Sequence, residues 1–191
     1  TLYMMSVEFM PQAIENVPED VKGVLAASAV TLTFGLEAEA DWRLPAFEKI
    51  VVYPKPFPTP QHPEHFHASE MFVEDGVLLF SAKHLMLGFT QPGQYLNLGV
   101  YEYARVFARQ EAARPWPALP PDIWAQLQTI SGFEKEKVLA WINLPEEAID
   151  VAALTVTHFL LFPRAFHMAL PDLYRGYQDV FGFDPAGTAA V

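Results

Sequence analysis

The chain has 191 residues, of which 51% are hydrophobic and 18% charged, with a formal net charge of −11 and a pI near 4.8. That length and apolar content suit one domain with a real core, 1–191, and argue against disorder. The acidity disfavours nucleic-acid and anionic-membrane partners, and the absence of cysteine excludes disulfides, cysteine zinc ribbons and thiol nucleophiles.

Residues 2–9 are apolar and β-leaning but ragged in pattern. Val17-Pro18-Glu19-Asp20 reads as a helix start, with proline and acids in the first turn. This helix runs through Val24, Leu25, Ala29 and Leu32 to near Gly35, and is apolar almost all round, as a buried helix is. Residues 47–53 make a strand, stopped by Pro54, Pro56, Pro58 and Pro60. Residues 61–69 form a polar, histidine-rich loop. Strands at 70–73 and 77–81 flank Glu74-Asp75-Gly76, a hairpin signal. Residues 82–88 suit a short helix or turn.

From residue 95 to 113 the composition is helical, with Leu96, Val100, Tyr103, Ala104 and Phe107 on one face. Prolines 115, 117, 120 and 121 interrupt it. Helices follow at 122–130 and 134–142. Pro145 opens a long helix that reaches Phe159 and ends before Pro163, and a last helix covers 172–181. Residues 186–191 read as a flexible tail. Strands in the middle with helices around them make the class α+β. No apolar run approaches the ~18 residues of a membrane span, and no signal-peptide pattern appears. The chain opens on Thr1 rather than Met, which leaves room for upstream sequence, and the expected compartment is the cytoplasm.

One short segment carries the functional argument. Tyr101-Glu102-Tyr103-Ala104-Arg105 has the spacing of an HExxH helix, in which histidines at i and i+4 hold zinc and the intervening glutamate activates a water. Here the glutamate remains and both imidazoles are gone. Residues 24–36, 47–57 and 95–100 lead up to this motif in order. After it come residues 159–163, then Pro171-Asp172-Leu173-Tyr174 and Phe183-Asp184-Pro185. Over these stretches the chain resembles the Mlc titration factor A family of bacterial zinc peptidases.

The resemblance implies a zincin-like fold with a small central mixed sheet flanked by helices. It places the family's first zinc histidine on Tyr101, its catalytic glutamate on Glu102, now vestigial, and its second histidine on Arg105. Counting back without gaps from Pro163, the third ligand falls on Asp150 and a further family acid on Thr157. A family tyrosine falls on Asn143. The stretch between second and third ligands is shorter here, so part of the family's cleft wall is expected to be missing. Tyr101 could ligate only as a phenolate, and Arg105 puts a fixed cation where the ion would sit, which costs several kcal/mol of repulsion. The expectation is therefore no zinc at this site and no cofactor. Arg105 is expected to replace the ion's charge by pairing with Glu102, Asp150 or both.

Two other metal readings stand beside this one. His62, His65 and His67, with Glu64 and Glu70, could chelate a transition metal, although a solvated loop with incidental histidines is the favoured reading. His158 could face the old cleft as a replacement ligand or base, but a hydrogen-bonded core histidine is favoured. The functional expectation is a catalytically inactive peptidase homologue with a protein-binding or regulatory role, its partner a protein such as a transcriptional regulator. The resembling family includes binding to the repressor Mlc among its roles. The alternative is an active metallopeptidase with an altered metal site.

Overall fold

The computed structural model describes residues 7–12, 15–36 and 47–188. Four strands, β1 (Glu8–Pro11), β2 (Lys49–Tyr53), β3 (Ser69–Phe72) and β4 (Val77–Ser81), form one mixed sheet in the order β1-β2-β4-β3. β1 and β4 run parallel to β2, whereas β3 is antiparallel to β4. After β2 the chain travels to the far edge as β3, turns at Gly76 in the left-handed region (φ 62°), and returns as β4 beside β2. β2 is therefore central, and Ile50, Val51 and Val52 are all buried, as a strand covered on both faces requires.

The helices are α1 (Glu19–Thr33), α2 (Ala82–Thr90), α3 (Leu98–Gln110), α4 (Ile123–Ser131), α5 (Lys135–Ile142), α6 (Val151–Leu161), α7 (Pro163–Ala169), α8 (Pro171–Phe181) and α9 (Pro185–Thr188). The two faces of the sheet have different covers. On one, Ile50, Val52, Leu78 and Phe80 join the main helical core; on the other, Val51 and Leu79 pack under Phe57 of the proline-rich loop. Phe57 stacks on Tyr53 (4.2 Å between ring centroids) and pairs with His67 through an antiparallel bridge.

α3 lies between α1 and α6 and also touches β3. Its approach to α1 depends on Gly99, where a Cβ would stand 2.3 Å from Ser28 Oγ. Ser28 is itself held by its bond to the Val24 carbonyl (2.9 Å). Downstream, α6, α7 and α8 enclose an aromatic cluster in which Phe159 meets Phe166, Tyr174, Tyr177 and Phe181.

The α+β class and the mixed sheet agree with the sequence reading, and several boundaries need correction. α3 begins at Leu98 because Asn97 caps it, its side chain accepting the Val100 N–H at 3.0 Å, so Tyr95 lies outside the helix. The expected long helix from Pro145 is in fact a single 3-10 turn, Glu146–Ala148, then extended Ile149, then α6. α6 does end before Pro163, but Pro163 then starts α7, a helix the sequence reading did not include, since its missing N–H is no loss at the first helical position. α6 and α7 bend sharply, by 116°. Of the expected flexible tail, 186–188 belong to α9, while 189–191 lie outside the described residues, as do 2–6 of the first apolar segment. Among the described residues no single helix is long and apolar enough to cross a membrane.

Candidate functional site

Glu102 sits mid-helix on α3 and is completely buried. Ser69, at the start of β3, donates its hydroxyl to Glu102 Oε1 at 2.7 Å, and Arg105 donates Nη1–H to Oε2 at 2.8 Å. Both carboxylate oxygens are thereby engaged. The Arg105 side chain is itself only 15% exposed, so the pair is a buried one. Burial opposes its positive charge, but Glu102, Tyr101 and Asp150 outweigh that effect and drive the guanidinium pKa upward. Arg105 Nε is buried and has no hydrogen-bond partner.

Tyr101 faces α6. Its phenolic oxygen accepts the Asp150 backbone N–H at 3.0 Å, tying α3 to the first turn of α6. Burial, reinforced by the Glu102 charge, pushes the phenol well above its ordinary pKa, so the neutral form that makes this bond is strongly favoured and a phenolate ligand is not. Asp150 is the N-cap of α6, its carboxylate accepting the Ala153 N–H at 3.0 Å. The expected Arg105 pairing therefore forms with Glu102. Asp150 acts on Arg105 only through its charge at longer range.

The positions aligned through the motif, 101, 102, 105 and 150, thus meet between α3 and α6, while the other proposed residues lie elsewhere. Thr157 is buried and bonds its own helix at the Ala153 carbonyl. Asn143 caps α5 in the left-handed region (φ 57°) and donates to the Phe66 carbonyl at 3.1 Å, anchoring the histidine-rich loop.

His158 lies in the core. Its Nδ1 donates to the Leu154 carbonyl (2.7 Å) and Nε2 meets Ser131 Oγ of α4 (3.0 Å), with the rings of Phe133 and Phe162 packed against it. Burial lowers its pKa to about 4. The neutral ring is thus the folded form, and the stability it confers is complete above about pH 6.5 and disappears as pH falls through 4. The expected loss is about 3 kcal/mol once the ring is protonated. Urea unfolding between about pH 7 and pH 4 should show this slope in the wild type and not in His158→Gln.

The histidine-rich segment is only partly a solvated loop. His67 is fully buried, with Nδ1 2.9 Å from the His65 carbonyl and Nε2 3.0 Å from Glu70 Oε2. His62 Nε2 lies 3.6 Å from Glu70 Oε1, and His65 packs edge-on to the His62 ring. Burial pushes the Glu70 carboxyl up, but the bonds from His67 and Thr59, with the nearby imidazoles, outweigh it and hold the pKa below its usual value.

Ser69 is the polar partner of Glu102 that the sequence reading did not name, whereas Glu70 was already grouped with the histidine-rich segment. Strand alternation was the available signal: on β3, Ser69 and Met71 point to α3, which leaves Glu70 for the loop side. A groove of about 430 Å³ between the 117–120 segment and the α7–α8 junction is lined by Leu119, Leu170 and Leu173 among others. No residue of the Glu102 cluster lines it. No family model matches the chain, and no curated protein matches it.

Proposed function

We propose that this chain is a zincin-like domain in which an internal ion pair has taken the place of a catalytic metal, and that it acts by binding a protein rather than by hydrolysis. The observation that carries this reading is the enclosure of Glu102. A general base must reach a water or a substrate proton. Glu102 has no exposed surface, and its two oxygens are satisfied by Ser69 and Arg105. The guanidinium supplies the positive charge that an ion would otherwise bring between α3 and α6.

The meeting of 101, 102, 105 and 150 supports the resemblance to the Mlc titration factor A peptidases, because Asp150 was aligned without reference to any contact. It reaches Tyr101 across 49 positions of sequence. In that family one role is capture of a transcriptional repressor, and a protein partner of this kind is the natural proposal for a domain that keeps such a framework without its chemistry. The alternative of an altered metal site at the cleft has little to draw on, since Asp150 is committed to a helix cap and His158 to Ser131 and Leu154.

The direct test is hydrolysis of casein and of aminopeptidase substrates, with and without added zinc, by the wild type and Glu102→Gln. Both proteins are expected to stay at the blank rate. Zinc-dependent turnover that vanished in Glu102→Gln would overturn the proposal. The binding half is tested by affinity capture from the native host followed by reconstitution with purified components. Failure to reconstitute a stoichiometric complex would remove it.

A further inference from the structure

The outer face of α1 is apolar and exposed. The buried residues of this helix, Val24, Leu25, Ala29 and Leu32 among them, lie on the side that packs on α2 and α3. On the other side Gly23, Ala27, Val30 and Phe34 are all exposed, Val30 at 48% and Phe34 at 66%. From Gly23 to Leu36 the chain has no charged residue. A helix face that only meets water is normally charged or polar, so this one has the composition of a contact surface.

The spacing is that of a seam between two helices. Positions 23, 27, 30 and 34 step by four, three and four, the apolar repeat of a coiled coil, and so form one stripe. Phe34 belongs to it because its backbone is still helical at the end of α1 (φ −58°, ψ −38°). Side-chain size rises along the stripe, from glycine and alanine at one end to valine and phenylalanine at the other. A second α1 laid antiparallel therefore sets Phe34 over Gly23 and Val30 over Ala27, and the two-fold axis repeats both pairs. Every layer then holds one large and one small side chain, the arrangement that interdigitates without voids. A parallel pair would instead crowd Phe34 against Phe34 and leave a gap at Gly23. Room for the ring is present, since a Cβ at Gly23 would meet no atom within 4 Å among the described residues.

We propose that the outer face of α1 is a homodimer interface, with two copies paired antiparallel about an axis between Ala27 and Val30. The occupant is a second copy because the size gradient along the stripe is complementary to its own reverse. A four-residue stripe covers well under the ~800 Å² per partner of a stable complex, so the dimer is weak and reversible. Each copy carries a net charge of −11, so association strengthens as salt screens their repulsion. This face points away from α3 and plays no part in the Glu102 cluster.

The experiment is sedimentation velocity of the full chain from about 5 μM to about 1 mM, at low and at moderate salt. A monomer–dimer equilibrium with Kd on the order of 100 μM is expected, tighter at the higher salt. Val30→Glu places a charge at the centre of the seam and should raise Kd more than tenfold. Gly23→Leu fills the space that Phe34 needs and should do the same. The Gly23→Leu monomer should be at least as stable to urea as the wild type, because leucine is the better helix former and enters open space. With no native cysteine, mild oxidation should cross-link a chain carrying Ala27→Cys with Val30→Cys as a dimer, and Ala27→Cys alone far less. A wild type that stays monomeric throughout would overturn the proposal, as would a dimer indifferent to Val30→Glu and Gly23→Leu. Equal cross-linking by Ala27→Cys alone would overturn the antiparallel arrangement. None of these outcomes bears on the hydrolysis test at Glu102.

Discussion

Replacing Arg105 with alanine is expected to cost about 3–5 kcal/mol of folding stability, because it strands a buried carboxylate. Glu102 would keep only the Ser69 hydroxyl as a partner, with no exposed surface through which water could replace the guanidinium. Glu102→Leu should cost a similar amount for the converse reason, leaving an 85%-enclosed cation with no carboxylate in contact, given its 15% exposure. The two losses should not add. A chain carrying Glu102→Leu with Arg105→Met removes both charges together, and buried pairs replaced by apolar side chains of similar volume are often neutral in stability. A coupling of about 2 kcal/mol or more is therefore expected in urea unfolding of the full cycle. Strict additivity would mean that the pair contributes nothing as a unit, and that the proposed substitution of an ion pair for an ion has no energetic basis.

The second large effect is a gain. Tyr101→His combined with Arg105→His removes the competing cation and places imidazoles at i and i+4 beside Glu102 on α3. On the proposed zincin-like framework, zinc affinity at this position should rise at least about 100-fold, equivalent to about 2.7 kcal/mol. The third ligand limits the gain, since Asp150 must give up its α6 cap, at a cost of about 1 kcal/mol. Cobalt absorption reports the coordination directly. No additional ion relative to the wild type would count against the zincin reading. Stability should fall at the same time, because Tyr101 no longer accepts the Asp150 N–H and Arg105 no longer pairs.

Parts of this molecule were legible in the residue pattern for local reasons. The strand ending at Tyr53 was legible because β-branched Ile50, Val51 and Val52 favour extended backbone and the prolines after it stop pairing. Glu74-Asp75-Gly76 is the β3–β4 turn because glycine adopts the left-handed conformation without penalty. The Glu102–Arg105 pair was equally accessible, since i, i+3 neighbours on a helix meet whatever the rest of the chain does. The helix does end before Pro163, but the helix that Pro163 opens was missed, because the same ring that closes one helix is well suited to start the next.

What the sequence determined alone is thus the set of short-range facts: class, most of the elements, and the Glu102–Arg105 pair at i, i+3. Tertiary structure decided the rest. It seals Glu102 under Ser69, 33 positions away, turns the Asp150 carboxylate onto its own helix, and divides two adjacent β3 residues between opposite faces. Burial and long-range partners set those outcomes, because the free energy of a buried charge depends on which groups the whole fold brings to it.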